Sequence, residues 1–381
     1  MSAVKQHSVK ALRFTKQLGF RKSINEGVDA YFATTALPPR DVPAMYAKTA
    51  IVFAWWLVAY LLILLGGFPP LVNLFLCLVW GFAIAAIGFN VMHDANHGGY
   101  SSHPWVNKLF GLSAEFLGLS SFRWRTKHNV WHHTYTNIAG LDDDVETYGT
   151  MRLSPHEPWK PLHRFQHWYF PFVYCFTGFD FIVRDFMMIL TGKSDENHVY
   201  PKLSGQDKLV FWAGKTFFFT TMIGLPMLVL PWWQVLIGFF VVVLTVGLLI
   251  SMVFQLAHIM EAVDFPEPVG DPLQIDNEWA VHEVETTVNF APRNRGLNWY
   301  VGGLNYQIEH HLLPHISHVH YPALSPIVQA VCQSYGIRYY SYPTWRQAFM
   351  SHWRALRALG RNPRSAAAVV AKPASASALS N

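Results

Sequence analysis

Two stretches of this chain, Thr49 to Asn107 and Thr216 to Pro292, contain no lysine or arginine, and each covers most of two apolar runs long enough to cross a lipid bilayer. A helix rises about 1.5 Å per residue, so about 20 apolar residues cover the hydrocarbon core. The runs place four spans at residues 47–68, 70–91, 209–230 and 231–256. The connections Gly66-Gly67-Phe68-Pro69-Pro70 and Leu230-Pro231-Trp232-Trp233 are short and uncharged, so the spans should pair as two hairpins.

The absence of basic residues between the paired spans also fixes an orientation. Lysine and arginine collect on the cytoplasmic side of membrane proteins, so the leader, the central segment and the tail should all be cytoplasmic. Only 14% of the 381 residues are charged and 51% are hydrophobic, against about 25% charged in an average soluble domain. A net charge of +5 could suggest nucleic acid, but the basic residues flank the apolar runs and form no stripe with aromatics. Cys77, Cys175 and Cys332 are far apart and odd in number, which excludes a disulfide framework. The expected layout is a cytoplasmic leader (1–45), a body (46–345) and a tail (346–381) that is low in complexity and disordered after residue 364. The first apolar run begins near Ile51 behind a basic polar leader, which is not the pattern of a cleavable signal peptide. Residues 170–176 and 179–190 read as helices lying at the membrane interface.

Three histidine clusters stand just outside these runs: His93-Asp-Ala-Asn-His97, His128-Asn-Val-Trp-His132-His133 and Gln307-Ile-Glu-His310-His311. Residues four apart share a helix face, so His93 with His97, and His128 with His132, can converge. His132 and His133 point about 100° apart and suit two different ions. His258 ends the fourth span at the depth where His93 ends the second. An even number of crossings puts all eight imidazoles on one side of the membrane, and eight are too many for one metal. Imidazole binds Zn, Cu, Fe and Ni alike. The chain has no His-Glu-x-x-His, no Gly-x-Ser-x-Gly and no Glu-x-x-His of carboxylate di-iron bundles.

In this order and spacing the clusters resemble the three histidine boxes of the integral-membrane fatty acid desaturases. The run from Asn298 to Pro314 is similar to the acyl-lipid and acyl-CoA branch that includes the front-end desaturases. The resemblance implies an all-α membrane protein: four transmembrane helices in two hairpins with a cytoplasmic helical cap that carries a di-iron site. It implies an oxidoreductase that uses O2 and two external electrons to insert a double bond into an acyl chain. His93, His97, His128, His132, His133, His258, His310 and His311 would be iron ligands, and Gln307, where relatives outside this branch have histidine, would hold a water or the metal. No His-Pro-Gly-Gly heme motif is present. Electrons would therefore come from a separate ferredoxin, or from a b-type cytochrome with its reductase. The alternatives are a lipid or alkane hydroxylase of the same iron type, or a zinc-binding transporter or receptor. A transporter would carry ionisable residues within its spans, and these runs show almost none away from their cytoplasmic ends.

Other residues carry looser expectations. Asp94 is a candidate to orient a box imidazole, and Asp142 to Asp144 either hold a box histidine or the neighbouring basic residues, or form a solvated acidic loop. Glu261 and Glu309 stand on the same footing as Asp94. His315, His318 and His320 follow Pro314, which should turn them off the ligand face. Arg123, Arg125 and Lys127 read as membrane anchors or as contacts to a headgroup. Trp80, Phe89, Trp131 and Trp299 are expected to shape an acyl tunnel.

Overall fold

Proline starts both of the first long helices, because its fixed φ and missing N–H suit a first helical turn. Pro43 and Pro70 hold those places in helices Pro43–Leu65 and Pro70–Ile87. The computed structural model describes residues 12–195 and 198–363, and the tail expected to be disordered after residue 364 lies outside them. Among the described residues four helices are long and apolar enough to cross a membrane: Pro43–Leu65, Pro70–Asn96, Gly205–Leu228 and Trp232–His258.

Where their bounds differ from the expected spans, the causes are local. The second helix continues past Val91 because it widens instead of breaking: Gly88–Met92 form a π turn that runs into His93–Asn96. The third begins early because Ser204 and Asp207 form a reciprocal cap, with the Asp207 amide donating to the Ser204 hydroxyl at 3.1 Å. It ends through a second π turn, Thr220–Gly224, just ahead of Pro226.

The second span is the centre of the bundle and packs against both the first and the fourth. Tyr60, Trp80, Ile84, Val242, Val243 and Val246 share one buried cluster between them. Helices Gln166–Cys175 and Thr177–Thr191, the segments expected at the interface, lie against the fourth span. Glycine permits this approach. A Cβ on Gly178 would sit 2.4 Å from the Val243 carbonyl oxygen, and one on Gly247 would sit 2.3 Å from that of Cys175.

Two features depart from a simple reading of the runs. Lys215 lies inside the third span, away from its end, where no ionisable group was expected. It is buried and donates to Asp185 at 2.5 Å and to the Gly118 carbonyl at 2.6 Å, so a neighbouring helix neutralises it. The fold is also not wholly helical. Arg13–Phe14 pairs in parallel with Gln274–Ile275, and Asn289–Phe290 with Ser341–Tyr342. These short ladders tie the N-terminal segment and the C-terminal region to the stretch between the fourth span and the third histidine cluster. The helix Phe20–Thr35 packs on Tyr321–Ser334 and Trp279–Glu285, and the buried Glu278 carboxylate accepts the amides of Leu18, Phe20 and Arg21.

The glycine contact makes a direct prediction. Gly247→Leu should lower the thermal midpoint of the detergent-solubilised protein by the equivalent of about 1–3 kcal/mol or more. Gly224→Ala, whose Cβ would meet nothing closer than 3.9 Å, should leave the midpoint within about 0.5 kcal/mol of the parent.

Candidate metal centre

Both N-terminal histidine clusters sit where the helix widens. The first follows the π turn Gly88–Met92, and the second lies on the π-helix Arg125–His132. Such turns are rare and concentrate at functional sites. The four-residue spacing was read on an α-helix; the observed backbone is wider, and the rings of His128 and His132 stack with centroids 5.1 Å apart. The third cluster is carried by the short buried helix Gln307–Leu312, and His258 ends the fourth span.

These elements bring all eight histidines together. Ring centroids lie 4.5 Å apart for His93 and His310, 4.7 Å for His97 and His133, 4.7 Å for His132 and His258, and 4.3 Å for His133 and His311. The potential ligand atoms of His93, His97, His128 and His310 lie within 4.8 Å of one another, and so do those of His132, His258 and His311. His133 groups with His310 and His311 between these two sets.

Carboxylates decide which nitrogen three of the rings present. Nδ1–H of His128 donates to Asp144 at 3.0 Å, that of His132 to Asp142 at 3.0 Å, and that of His311 to Glu283 at 2.6 Å. Each bond leaves the Nε2 lone pair facing the cluster. Nε2 of His132 and of His311 is buried without a hydrogen-bond partner, while Nε2 of His133 lies 3.3 Å from that of His128 and 3.0 Å from that of His310. Rings this close either share a proton or hold a cation among them, and with Nε2 of His132 and of His311 left unpartnered the donor set fits two transition-metal ions. Burial, reinforced by neighbouring imidazoles, holds His97, His133, His310 and His311 well below the usual imidazole pKa. They are neutral at pH 7, the form that binds metal. Burial also opposes the charged form of His132, but Asp142 and Asp144 outweigh it and raise its pKa.

A cavity of about 440 Å³ opens onto this cluster. His93, His128 and Gln307 line it beside Phe89, Leu117, Leu119, Val173, Ile250 and Val253. An elongated apolar molecule could therefore reach the histidines. Comparison with known proteins agrees: the fatty acid desaturase family model matches residues 69–343. The chain belongs to the fatty acid desaturase family. It is 41% identical over 355 residues to the sn-1 linoleoyl-lipid 6-desaturase of Arthrospira platensis, covering 93% of this chain and 96% of the relative. It is 40% identical to the protein of the same name from Synechocystis sp., covering 92% and 98%, and 32% identical to the acyl-lipid (8-3)-desaturase of Mortierella alpina, covering 92% and 80%.

Several expectations are corrected in this desaturase-family chain. Asp94 orients no box imidazole; its carboxylate accepts Nδ1–H of His318 at 2.8 Å, and Lys48 donates to the other side of that ring at 2.9 Å. Asp142 to Asp144 are not a solvated loop: Asp142 and Asp143 are fully buried, and Asp143 pairs with Lys127 at 3.1 Å. Arg123 is buried on Asp185 and Lys127 on the acidic loop, so neither is free at the surface, and Arg125 donates to Asn96 at 3.2 Å. Glu309 accepts from Asn289 and Tyr339, while Glu261 pairs with Arg354 at the surface. His315, His318 and His320 lie off the ligand face as expected: His315 is exposed and His320 meets the Pro38 carbonyl at 3.0 Å. Of the four aromatics expected along the tunnel only Phe89 lines the cavity. Trp80 stacks on Tyr60, Trp131 packs on His198 and Tyr200, and Trp299 lies near Lys48. Gln307 does line it, and its amide nitrogen is 3.1 Å from Nε2 of His258.

Sequence reasoning missed Glu283, Thr136 and Asn137. Thr136 donates to Glu283 at 2.9 Å, and the Asn137 side chain donates to the His258 carbonyl at 2.9 Å, tying the second cluster to the end of the fourth span. The only signal for Glu283 is an acid in a buried helix turn after that span. Removing such an orienting carboxylate weakens metal binding about 10- to 100-fold. Asp142→Asn and Glu283→Gln should each lose metal at chelator concentrations the parent withstands, as read by metal analysis after graded chelation.

Proposed function

We propose that this chain is a fatty acyl desaturase that inserts a double bond into the acyl chain of a membrane lipid. The eight histidines are its iron ligands, and the centre holds two irons. The observation that carries this reading is the largely apolar cavity lined in part by His93 and His128, beside the paired imidazole sets. The reaction removes one hydrogen from each of two neighbouring methylenes. Together with O2, two external electrons and two protons it yields an alkene and two waters. No side chain can remove hydrogen from an unactivated methylene, so bound iron with O2 supplies that chemistry. The polypeptide's share is placement. Leu117, Leu119, Ile250 and Val253 hold the chain in a dry channel, and Phe89 and Trp124 flank it where it passes His93 and His128. Asp142, Asp144 and Glu283 keep the ligand rings in one tautomer.

The names of the three reported relatives favour a glycerolipid carrier over acyl-CoA, because all three are called lipid desaturases. The distribution of basic residues supports termini and centre on the cytoplasmic side, with the segments between and after the spans forming a cap there. A ferredoxin or a b-type cytochrome with its reductase would deliver the electrons.

Expression in a host lacking the activity, followed by mass spectrometry of its fatty acids, tests the reading. The parent should produce a new unsaturated species with two hydrogens fewer, whereas a species with one added oxygen would mark a hydroxylase. His310→Ala and His132→Ala should abolish the product while inserting into membranes normally. Purified protein should carry about two irons per chain; stoichiometric zinc in active enzyme would contradict the assignment.

A further inference from the structure

Three cations stand in the cavity wall, and two are fully engaged. Lys127 reaches Asp143 at 3.1 Å and Asp144 at 3.2 Å. Arg184 donates to Asp180 at 2.7 Å and to the Ser194 carbonyl at 3.3 Å, with its guanidinium 3.6 Å over the Tyr148 ring. Arg123 is different. It is 1% exposed, its Nε donates to Asp185 at 2.5 Å and its Nη2 to the Phe181 carbonyl at 3.5 Å, yet Nη1 is buried with no partner among the described residues. A buried N–H left without an acceptor is costly, and a charged one more so.

Its counter-charge is also shared. Asp185 accepts from Lys215 at 2.5 Å and from the Ser120 amide at 2.6 Å as well. Glu115, which burial pushes up to about 8, also lies near this group, and Asp180 adds negative charge beside Arg123. Arg123 therefore brings one unused donor to a space whose lining is largely apolar. Arg123 precedes His128 by five residues in one helical run, Ser121–Trp124 continuing into Arg125–His132.

We propose that Nη1 of Arg123 donates to the carbonyl oxygen of the substrate's acyl ester and so sets which methylenes, counted from the carboxyl end, come to rest at the histidine centre. The inference builds on the desaturase reading. An acyl chain suits the apolar lining, and the ester carbonyl is the acceptor joined directly to that chain. Arg123 acts here as a positioning residue, with no part in hydrogen removal.

The test uses purified holoenzyme in nanodiscs with two glycerolipids of identical chains, one ester-linked and one ether-linked, the latter lacking the carbonyl. Binding is read without an electron donor, by displacement of a fluorescent acyl lipid, and double-bond position is read after turnover by mass spectrometry. The parent should bind the ester about tenfold or more tightly than the ether and should yield one product position. Arg123→Lys keeps a cation on Asp185 but removes Nη1. It should bind the two lipids within about threefold of each other and spread product over neighbouring positions. An Arg123→Lys enzyme that keeps both the ester preference and the single position overturns the proposal, as does a parent that binds ester and ether alike. The parent's own comparison needs no variant, so a variant that misfolds leaves that arm decisive. Failure of the desaturase reading itself would show separately, as no double bond from the parent with either lipid.

Discussion

The structure around the cluster depends on the hydrogen bonds between buried carboxylates and the outward-facing nitrogens of the ligand rings. An imidazole can present either nitrogen, and a ring free to choose would not hold a metal at a defined point. Asp144, Asp142 and Glu283 remove that choice for His128, His132 and His311. Each carboxylate is itself held. Asp144 pairs with Lys127, Asp142 accepts the Asn137 amide at 2.9 Å, and Glu283 accepts the Thr136 hydroxyl. The loop after the second cluster and the helix before the third are thereby parts of the centre.

The same logic of burial and compensation extends into the bundle. Asp185 is shared by two cations from different segments, Arg123 and Lys215, and its pairing with Lys215 permits a lysine within an apolar helix. Close glycine contacts let helices Gln166–Cys175 and Thr177–Thr191 settle on the fourth span, and that packing forms one side of the cavity. The cavity and the histidine cluster thus share walls. His93 and His128 face both, through the widened helical turns at the ends of their runs.

Much of this was legible in the sequence, for identifiable reasons. The four spans declare themselves because each is apolar over about the bilayer thickness and no basic residue lies in the turn between paired runs. The histidine clusters are legible because order and spacing survive any detail of packing. The π turns are not, since Gly88–Met92 and Arg125–His132 differ from α-helix in backbone hydrogen bonding and not in residue pattern. Glu283 was hidden because it precedes His311 by 28 residues and meets it only in the folded chain. Asp94 misled because its sequence neighbours are ligand histidines while its carboxylate turns to His318. Trp80, Trp131 and Trp299 misled in a similar way: bulk near the clusters does not say which face of a helix lines a channel.

The account stands on two metal positions built from imidazoles that carboxylates have aimed at one another. Anomalous diffraction at the iron absorption edge, from crystals of the purified enzyme, locates them directly. Two peaks are expected, one among His93, His97, His128 and His310 and the other among His132, His258 and His311. A single peak, or peaks away from these rings, would contradict the account.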